Sequence, residues 1–176
     1  MIAFYILAFC RVTTGLVFAI SSLSKARDIP TFKQAVLGFR LLPQHLSGPL
    51  AILFLCGEFT VVLLVTIGGP LLLSGFALAT LLLLIFCGAL ASVLARRLQT
   101  ACNCFGSSKK SVTLVDIWRN AGLLLCAGGG CEALIWTRGA QESLEGIACL
   151  FIALGAGVFV MIWIQLGEIM QLFRQG

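Results

Sequence analysis

The stretch that decides the fold is residues 47–95, which read SGPLAILFLCGEFTVVLLVTIGGPLLLSGFALATLLLLIFCGALASVLA. It contains two apolar runs, residues 47–67 and 71–95. Each is at least as long as the roughly 20 residues that an α-helix needs to cross the hydrocarbon core of a bilayer. The Gly68-Gly69-Pro70 break between them leaves room only for a tight turn. The two runs therefore predict an antiparallel hairpin of membrane-spanning helices.

The composition extends this interpretation to the whole chain. Of the 176 residues, 60% are hydrophobic and 11% are charged, and the mean hydropathy is +1.07. A soluble domain carries about 25% charged residues. Three further apolar runs cover residues 3–23, 112–136 and 147–173. We predict an all-α integral membrane protein with a single domain over residues 1–176, folded as a compact bundle of about five transmembrane helices, four in a core plus one. The first run lacks a basic n-region and a small-residue cleavage site, so we expect it to be retained.

The stretch between the first and second runs is mixed in character. Phe32, Val36 and Phe39 recur at helical spacing, and the segment lies between Pro30 and Pro43. We expect a short amphipathic helix over residues 30–42 that lies in the membrane interface, with its cations among the lipid headgroups. The cations of this stretch are Lys25, Arg27, Lys33 and Arg40.

The distribution of charge predicts an orientation. With five spans, one side of the membrane receives Lys25, Arg27, Lys33, Arg40, Arg96, Arg97, Lys109, Lys110 and Arg174, and the other receives Arg138 with Glu142 and Glu145. Cytoplasmic loops carry the excess of lysine and arginine. We therefore predict a bacterial inner-membrane protein with its N-terminus outside and its C-terminus inside. The net charge of +5 is a topology signal and does not predict nucleic-acid binding.

The chemistry-bearing motif is Cys102-Asn103-Cys104-Phe105-Gly106, in the clearly polar segment between Arg96-Arg97 and Lys109-Lys110. Neighbouring cations stabilise thiolates, which are both nucleophiles and ligands for soft metals. A Cys-x-Cys disulfide closes a small, strained ring that exchanges readily. We expect Cys102 and Cys104 to be redox-active, on the cytoplasmic side, or to bind a metal. His45 would add only a third ligand, and zinc-type spacing of two cysteine pairs is absent from the sequence.

The other six cysteines lie in or beside the apolar runs. Cys131 and Cys149 flank the short outer loop and are a candidate second redox pair, while Cys56 and Cys87 lie at depths suited to a relay between the two sides. Buried cysteine is more often an inert packing residue. We therefore expect that most of Cys10, Cys56, Cys87 and Cys126 only pack.

Arg11, Glu58 and Arg119 are ionisable residues within the predicted spans, where a charge is costly and faces a partner or a cavity. Arg11 and Glu58 lie at similar depth when residues are counted from the outer ends of their helices, so they are candidates for an ion pair. Glu58 is either a proton relay or the lining of a quinone or substrate cavity, or else part of a structural ion pair. Arg119 either reaches lipid phosphates or lies over the Cys104 sulfur.

Three segments resemble the MauE branch of the DoxX-like membrane proteins. They are Arg11 through Lys25-Ala26-Arg27-Asp28 to Phe39-Arg40-Leu41-Leu42-Pro43, then Cys56-Gly57-Glu58, then the Cys-Asn-Cys-Phe-Gly motif with Trp118-Arg119-Asn120. Asn103 stands where that family usually has glycine. The resemblance covers most of the chain and implies a redox-associated role in the maturation of disulfide-containing proteins. It also implies thioredoxin-like partners and, through the DoxX-type relatives, a quinone as cofactor.

Three functions follow from the sequence. The leading hypothesis is a membrane thiol–disulfide oxidoreductase, in which Cys102 and Cys104 exchange electrons with a thioredoxin-like partner or a quinone, tuned by Glu58, Arg11 and Arg119. An alternative is a carrier for soft metals such as copper or mercury, with Cys102 and Cys104 as ligands. The third is a non-catalytic membrane scaffold for a redox partner.

Overall fold

The computed structural model describes residues 2–39, 43–96, 114–137 and 146–174, and every regular element within these ranges is helical. Six α-helices follow one another along the chain: α1 Ile2–Arg27, α2 Ile29–Gly38, α3 Gln44–Ile67, α4 Leu72–Ala95, α5 Leu114–Trp136 and α6 Gly146–Arg174. A 3-10 turn, Gly69–Leu71, joins α3 to α4. The all-α prediction is confirmed.

Within the described residues, four stretches are long and apolar enough to cross a membrane: Ile2–Arg27, His45–Ile67, Gly69–Ala95 and Ile147–Gln165. The prediction of an integral membrane protein is therefore confirmed. α5 is not among the four, since polar side chains reduce its hydropathy; they include Asp116, Arg119, Asn120 and Glu132. With 23 residues, α5 is nevertheless about 34 Å long, which is enough to cross. The fifth span stays a prediction.

Four of the helices form the core of the bundle. α1 packs against α3 and α5, and α4 packs against the same two helices, so that α1, α3, α4 and α5 close a ring. α6 packs on the outside of this ring against α1, and α2 lies against α3. Buried apolar side chains such as Val61, Phe76 and Ala127 fill the interior. This is the four-helix core plus one helix that the sequence predicts.

The bundle has two distinct ends. At the loop end, α4 terminates at Ala95 and α5 begins at Leu114; residues 97–113 lie between these two helices in the sequence. The turn end is the opposite end, formed by Gly68–Leu71 between α3 and α4. α1 runs from the turn end to the loop end, antiparallel to α3.

The amphipathic helix is α2. Asp28 is its N-cap and accepts a hydrogen bond from the Thr31 N–H at 3.1 Å, and Pro30 occupies the first turn. Phe32 and Phe39 are buried and Val36 is half-buried, so the predicted apolar face does pack inward. The helix ends at Gly38, earlier than the predicted residue 42, and residues 40–42 lie outside the described ranges.

Candidate functional site

A buried ion pair joins α1 to α3 inside the bundle. Lys25 Nζ lies 2.5 Å from Glu58 Oε1, and the Ser21 hydroxyl donates to the same oxygen at 3.1 Å. Lys25 is 3% exposed and Glu58 is 4% exposed. Two such charges are stable away from water only when they are paired and hydrogen-bonded, which is the arrangement seen here.

Three aromatic rings surround the Lys25 ammonium. Its nitrogen lies 4.9 Å from the ring centre of Phe54, 5.2 Å from Phe32 and 5.7 Å from Phe86. The rings come from α3, α2 and α4 respectively. A cation over a ring face is stabilised by the ring quadrupole, and the rings also keep water from the ammonium. The charge of Lys25, on α1, is therefore held by groups from three other helices, α2, α3 and α4.

A small cavity adjoins the pair. It has a volume of about 30 Å³, and its polar lining comes from Ser21, Lys25, Glu58 and Asn120. This volume suits one or two water-sized ligands. Glu58 Oε2 is buried and accepts no hydrogen bond from the described residues. One carboxylate oxygen thus stays available to a proton or a small donor, whereas the cavity has no room for a quinone ring.

Two sequence predictions about these charges are wrong. Lys25 does not lie among the headgroups, because α1 continues to Arg27 and turns Lys25 inward in its last turn. Glu58 does not pair with Arg11, because the helices are staggered along their axes. Arg11 is level with Thr66 near the end of α3, so Ile2–Cys10 continue beyond the turn by about 14 Å.

Arg11 caps α3 at the turn end. Its Nε donates to the Val65 carbonyl at 2.9 Å and its Nη2 to the Thr66 carbonyl at 2.8 Å. Carbonyls in the last turn of a helix have no partner within it, and the negative end of the helix dipole attracts a cation. Gly68 has a positive φ of 74°, and a Cβ on it would lie 2.5 Å from Arg11 Nη2. The turn and its capping arginine are therefore fitted to each other.

Arg119 is on α5, and its side chain extends toward α6. It is 8% exposed, its Nη2 lies 3.6 Å from Asp116 Oδ1, and its Nη1 donates to the Ile164 carbonyl at 3.4 Å. The Trp163 indole donates to the Arg119 carbonyl at 3.0 Å. The prediction that Arg119 reaches lipid phosphates is wrong, since its guanidinium is bound inside the protein. The alternative contact with Cys104 involves a residue outside the described ranges.

Cys102 and Cys104 belong to residues 97–113, outside the described ranges, so their redox role stays a prediction. The Lys25–Glu58 pair lies in the half of the bundle that adjoins the loop end. Two residues that line the cavity beside the pair show this position: Phe86 is nine residues, about 14 Å, before the end of α4, and Asn120 is six residues, about 9 Å, after the start of α5.

The six described cysteines are free thiols. Cys56 and Cys149 are exposed, and Cys87 and Cys131 are half-buried, so the Cys131–Cys149 pair and the Cys56–Cys87 relay stay predictions. Cys10 on α1 is buried in the apolar core, and Cys126 on α5 is half-buried against the same cluster of side chains.

Metal ligands do not cluster in the described ranges, where no three His, Cys, Asp or Glu side chains come together. His45 is exposed at the start of α3. A metal at Cys102 and Cys104 stays a prediction.

A larger groove opens at the turn end between α1, α3 and α6. Its volume is about 580 Å³, within the range of ligand sites, and Arg11, Thr66 and Cys149 interrupt an otherwise apolar lining. Space for a molecule of quinone size thus exists away from Glu58.

Comparison with known proteins adds to this geometry. Residues 3–136 match the model of the family described as methylamine utilisation protein MauE. The methylamine utilization protein MauE of Paracoccus denitrificans is 34% identical over 158 residues, which cover 84% of this chain and 83% of the relative. No solved structure matches the chain. This chain therefore belongs to the MauE family of multi-pass membrane proteins.

Proposed function

We propose that this protein is a membrane thiol–disulfide oxidoreductase. Cys102 and Cys104 exchange electrons with a thioredoxin-like partner, and Glu58 handles protons for that exchange. The observation that carries the proposal is the Glu58 carboxylate, buried in the bundle beside a small cavity, with one oxygen paired to Lys25 and the other accepting no hydrogen bond from the described residues. A charge at such depth is costly and is typical of proton pathways.

The exchange itself needs no additional oxidant. The Cys102 thiolate attacks one sulfur of the partner's disulfide, which breaks that bond and forms a mixed disulfide. The Cys104 thiolate then attacks the Cys102 sulfur, and the partner leaves as a dithiol. Two electrons pass to the partner, and the two protons lost by Cys102 and Cys104 are taken up by its two sulfurs. The reverse direction uses the same steps, and the roles of the two cysteines can be interchanged.

Glu58 would serve as a temporary acceptor for one of these protons. Its Oε2 can take a proton while Oε1 keeps the hydrogen bond from Ser21, and Lys25 holds the carboxyl in place. The basic residues near Cys102 and Cys104 in the sequence stabilise the thiolates, so the cysteines release their protons more readily. With a quinone as acceptor in place of a partner disulfide, the same two electrons and two protons would give a quinol.

Family membership is consistent with this proposal. The matched relative is named for methylamine utilization, and the Cys-Asn-Cys-Phe-Gly motif supplies two thiols in a polar segment of the sequence. We propose that the loop end faces the cytoplasm of a bacterium, because it carries Arg27, Lys33 and Arg96 among the described residues.

The proposal is tested by trapping. In cells, Cys104→Ser or Cys102→Ser should accumulate a mixed disulfide with a thioredoxin-like protein, because the resolving thiol is missing. Non-reducing gels followed by mass spectrometry identify the partner. Cys56→Ser is the control, since Cys56 is exposed on α3 and the exchange steps proposed here use only Cys102 and Cys104.

Three results would overturn or replace the proposal. Absence of any trapped species, together with full function of the Cys102→Ser/Cys104→Ser double variant, would rule out thiol exchange. Full function of a cysteine-free chain would favour a scaffold. Copper bound to purified protein at about one equivalent, and lost in Cys102→Ser, would favour a soft-metal carrier.

A further inference from the structure

We infer that the larger groove, between α1, α3 and α6, binds one anionic phospholipid, whose phosphate pairs with Arg11 and whose acyl chain lies along α1. This inference is independent of the function proposed for Cys102 and Cys104. It gives the groove a ligand, and it gives a second role to an arginine that also caps α3.

The first observation is that Arg11 has no counterion. It forms no ion pair within the described ranges, and its Nε and Nη2 donate to the Val65 and Thr66 carbonyls, which carry only partial negative charge. Its Nη1 donates to none of the described residues and is not sealed in the interior. Guanidinium groups bind phosphate through several N–H donors at once. A phosphate at this position would therefore supply the full negative charge that the carbonyls do not.

The second observation is the shape of the groove. Along α1 its lining extends from Phe4 to Ala19, which are fifteen positions or about 22 Å apart. This length is most of the roughly 30 Å of hydrocarbon that a spanning helix crosses. Only Arg11, Thr66 and Cys149 interrupt the apolar lining. A long apolar groove parallel to a spanning helix, with one cation in it, fits an acyl chain and its phosphate. A small soluble anion would leave the apolar walls uncovered.

The position of Arg11 in the bundle gives a lipid access to it. Arg11 is level with Thr66, one residue before the end of α3, whereas α1 continues beyond this level by about 14 Å. The turn between α3 and α4 is therefore recessed behind the end of α1, and lipids beside the turn meet the open side of the groove. Local thinning of the bilayer lets lipid headgroups reach an arginine in a spanning helix, which lowers the cost of its charge.

The charge of Arg11 also selects among phospholipids. Phosphatidylglycerol carries a phosphate and no positive group. Phosphatidylcholine carries the same phosphate together with a quaternary ammonium, which would lie close to the guanidinium and be repelled by it. We therefore expect the site to prefer the anionic lipid.

The test is native mass spectrometry of the delipidated full chain in detergent, with dioleoyl phosphatidylglycerol or dioleoyl phosphatidylcholine added. We expect one phosphatidylglycerol to stay bound at concentrations at which phosphatidylcholine does not. Arg11→Met should weaken phosphatidylglycerol binding about 10-fold or more, because a charge-assisted hydrogen bond to the phosphate is lost.

The location of the lipid is read from Cys149, an exposed thiol in the groove lining. Phosphatidylglycerol should slow its alkylation by N-ethylmaleimide, whereas the same concentration of phosphatidylcholine should not. Cys56 is the internal control, because it is exposed on α3 but is not part of the lining. Its alkylation should not change with either lipid.

A second variant leaves Arg11 in place, because Arg11→Met also removes the cap of α3. Ala19→Phe fills the groove at the end that the acyl chain would occupy, and it should weaken binding of phosphatidylglycerol to a similar extent. Ala77→Phe is the matched control, since Ala77 is exposed on α4 and outside the lining, and binding should be unchanged. If Arg11→Met does not elute as a single folded species, Ala19→Phe decides alone.

Three results would overturn the inference. Equal binding of the two lipids would show that Arg11 does not select an anionic headgroup. Binding of wild-type strength in Ala19→Phe would show that the acyl chain does not lie in the groove. Bound phosphatidylglycerol that leaves Cys149 as reactive as in the lipid-free protein would place the lipid elsewhere.

Discussion

At the scale of single residues, the Lys25–Glu58 pair is the feature that sets this bundle apart from a purely apolar one. Each charge alone would be strongly unfavourable among the surrounding apolar side chains. Together they share one short contact, a hydroxyl donor from Ser21 and three aromatic rings. Loss of one partner is therefore expected to cost more than loss of both.

The first prediction concerns this asymmetry. Glu58→Gln leaves the Lys25 ammonium buried without its counterion and should lower the free energy of unfolding by about 3–5 kcal/mol. Lys25→Met/Glu58→Leu keeps similar volumes without charge and should be about as stable as the wild type. Unfolding in mixed detergent–dodecyl sulfate micelles, followed by circular dichroism, measures both. A Glu58→Gln variant of wild-type stability would contradict the described pairing.

The second prediction concerns Arg11 and the turn that it caps. Gly68→Ala places a methyl group against the Arg11 guanidinium and also strains a positive φ, so it should be clearly destabilising. Gly69→Ala is the matched control, because Gly69 has a φ of 58° and open space around its Cα. It should cost only the backbone strain, about 1–2 kcal/mol.

Arg11→Met tests the same contact from the other side. It removes two charge-assisted hydrogen bonds, each worth about 1.5–3 kcal/mol. In the Arg11→Met background, Gly68→Ala should cost less than it does in the wild type, since the clash is relieved and only the backbone strain at Gly68 remains. Strictly additive losses in the same unfolding assay would show that the guanidinium does not rest on Gly68.

The ionisable residues show where sequence reasoning stopped. It identified Glu58, Arg11 and Arg119 as functional or structural sites, because burying a charged side chain in a membrane is energetically unfavourable. It assigned wrong partners, because counting residues from helix ends assumes that neighbouring helices begin at one level. It missed Lys25 as a site because a cation two residues from a helix end is usually solvated. The aromatic residues Phe32, Phe54 and Phe86 surround Lys25 in the fold, but they are too far apart in the sequence for any helical spacing rule to relate them.

At the scale of elements, the apolar runs located the helices well. The predicted boundaries at residues 67, 95 and 136 are the ends of α3, α4 and α5. The helix ends could be predicted because they are marked by local features of the sequence: long apolar runs, the Gly-Gly-Pro break and the charged segments that follow the runs. Axial stagger, and the position of α6 outside the ring, depend on side-chain packing between elements, which leaves no local signal.

The third prediction tests the contact between α4 and α5. A Cβ on Gly130 would lie 2.6 Å from atoms of the Phe76 ring, which is fully buried. Gly130→Ala should therefore destabilise the bundle by about 1–3 kcal/mol despite the better helix propensity of alanine. Gly129→Ala meets nothing within 4 Å and should be neutral or slightly stabilising. Equal unfolding free energies for the two variants would contradict the packing of α5 on α4.

The fourth prediction concerns α2 and pH. Hydrogen bonds from the Thr31 hydroxyl and N–H hold the pKa of Asp28 below its usual range. A carboxylate with a lowered folded pKa stabilises the helix above its unfolded pKa of about 3.9, and this contribution is lost as pH falls through the folded value. Hydrogen exchange of the Thr31 amide should therefore accelerate, relative to its intrinsic rate, below about pH 4.

Asp28→Asn provides the control for this pH dependence. Asparagine is also a good N-cap, but it does not titrate. Protection of the Thr31 amide in this variant should not change across the same pH range. A wild-type amide that behaves like that of the variant would show that Asp28 does not cap α2.

At the scale of the whole molecule, the bundle separates two kinds of chemistry along its axis. The loop end and the adjoining half contain the basic residues, the Lys25–Glu58 pair and the attachment points of the Cys102–Cys104 segment. The turn-end half contains Arg11 and the larger groove. The sequence alone suggested cysteines at several depths, but how far each thiol is buried depends on the packing of the folded ring.

The most direct test of the central claim is the rate of thiol–disulfide exchange by the reduced protein in nanodiscs with an oxidised thioredoxin-like protein, measured by acid quenching and alkylation. Cys102→Ser and Cys104→Ser should each abolish complete exchange, and Cys56→Ser should leave it unchanged. The stable Lys25→Met/Glu58→Leu variant should exchange about 10²-fold more slowly. Wild-type exchange rates in the Cys102→Ser/Cys104→Ser double variant would contradict the account.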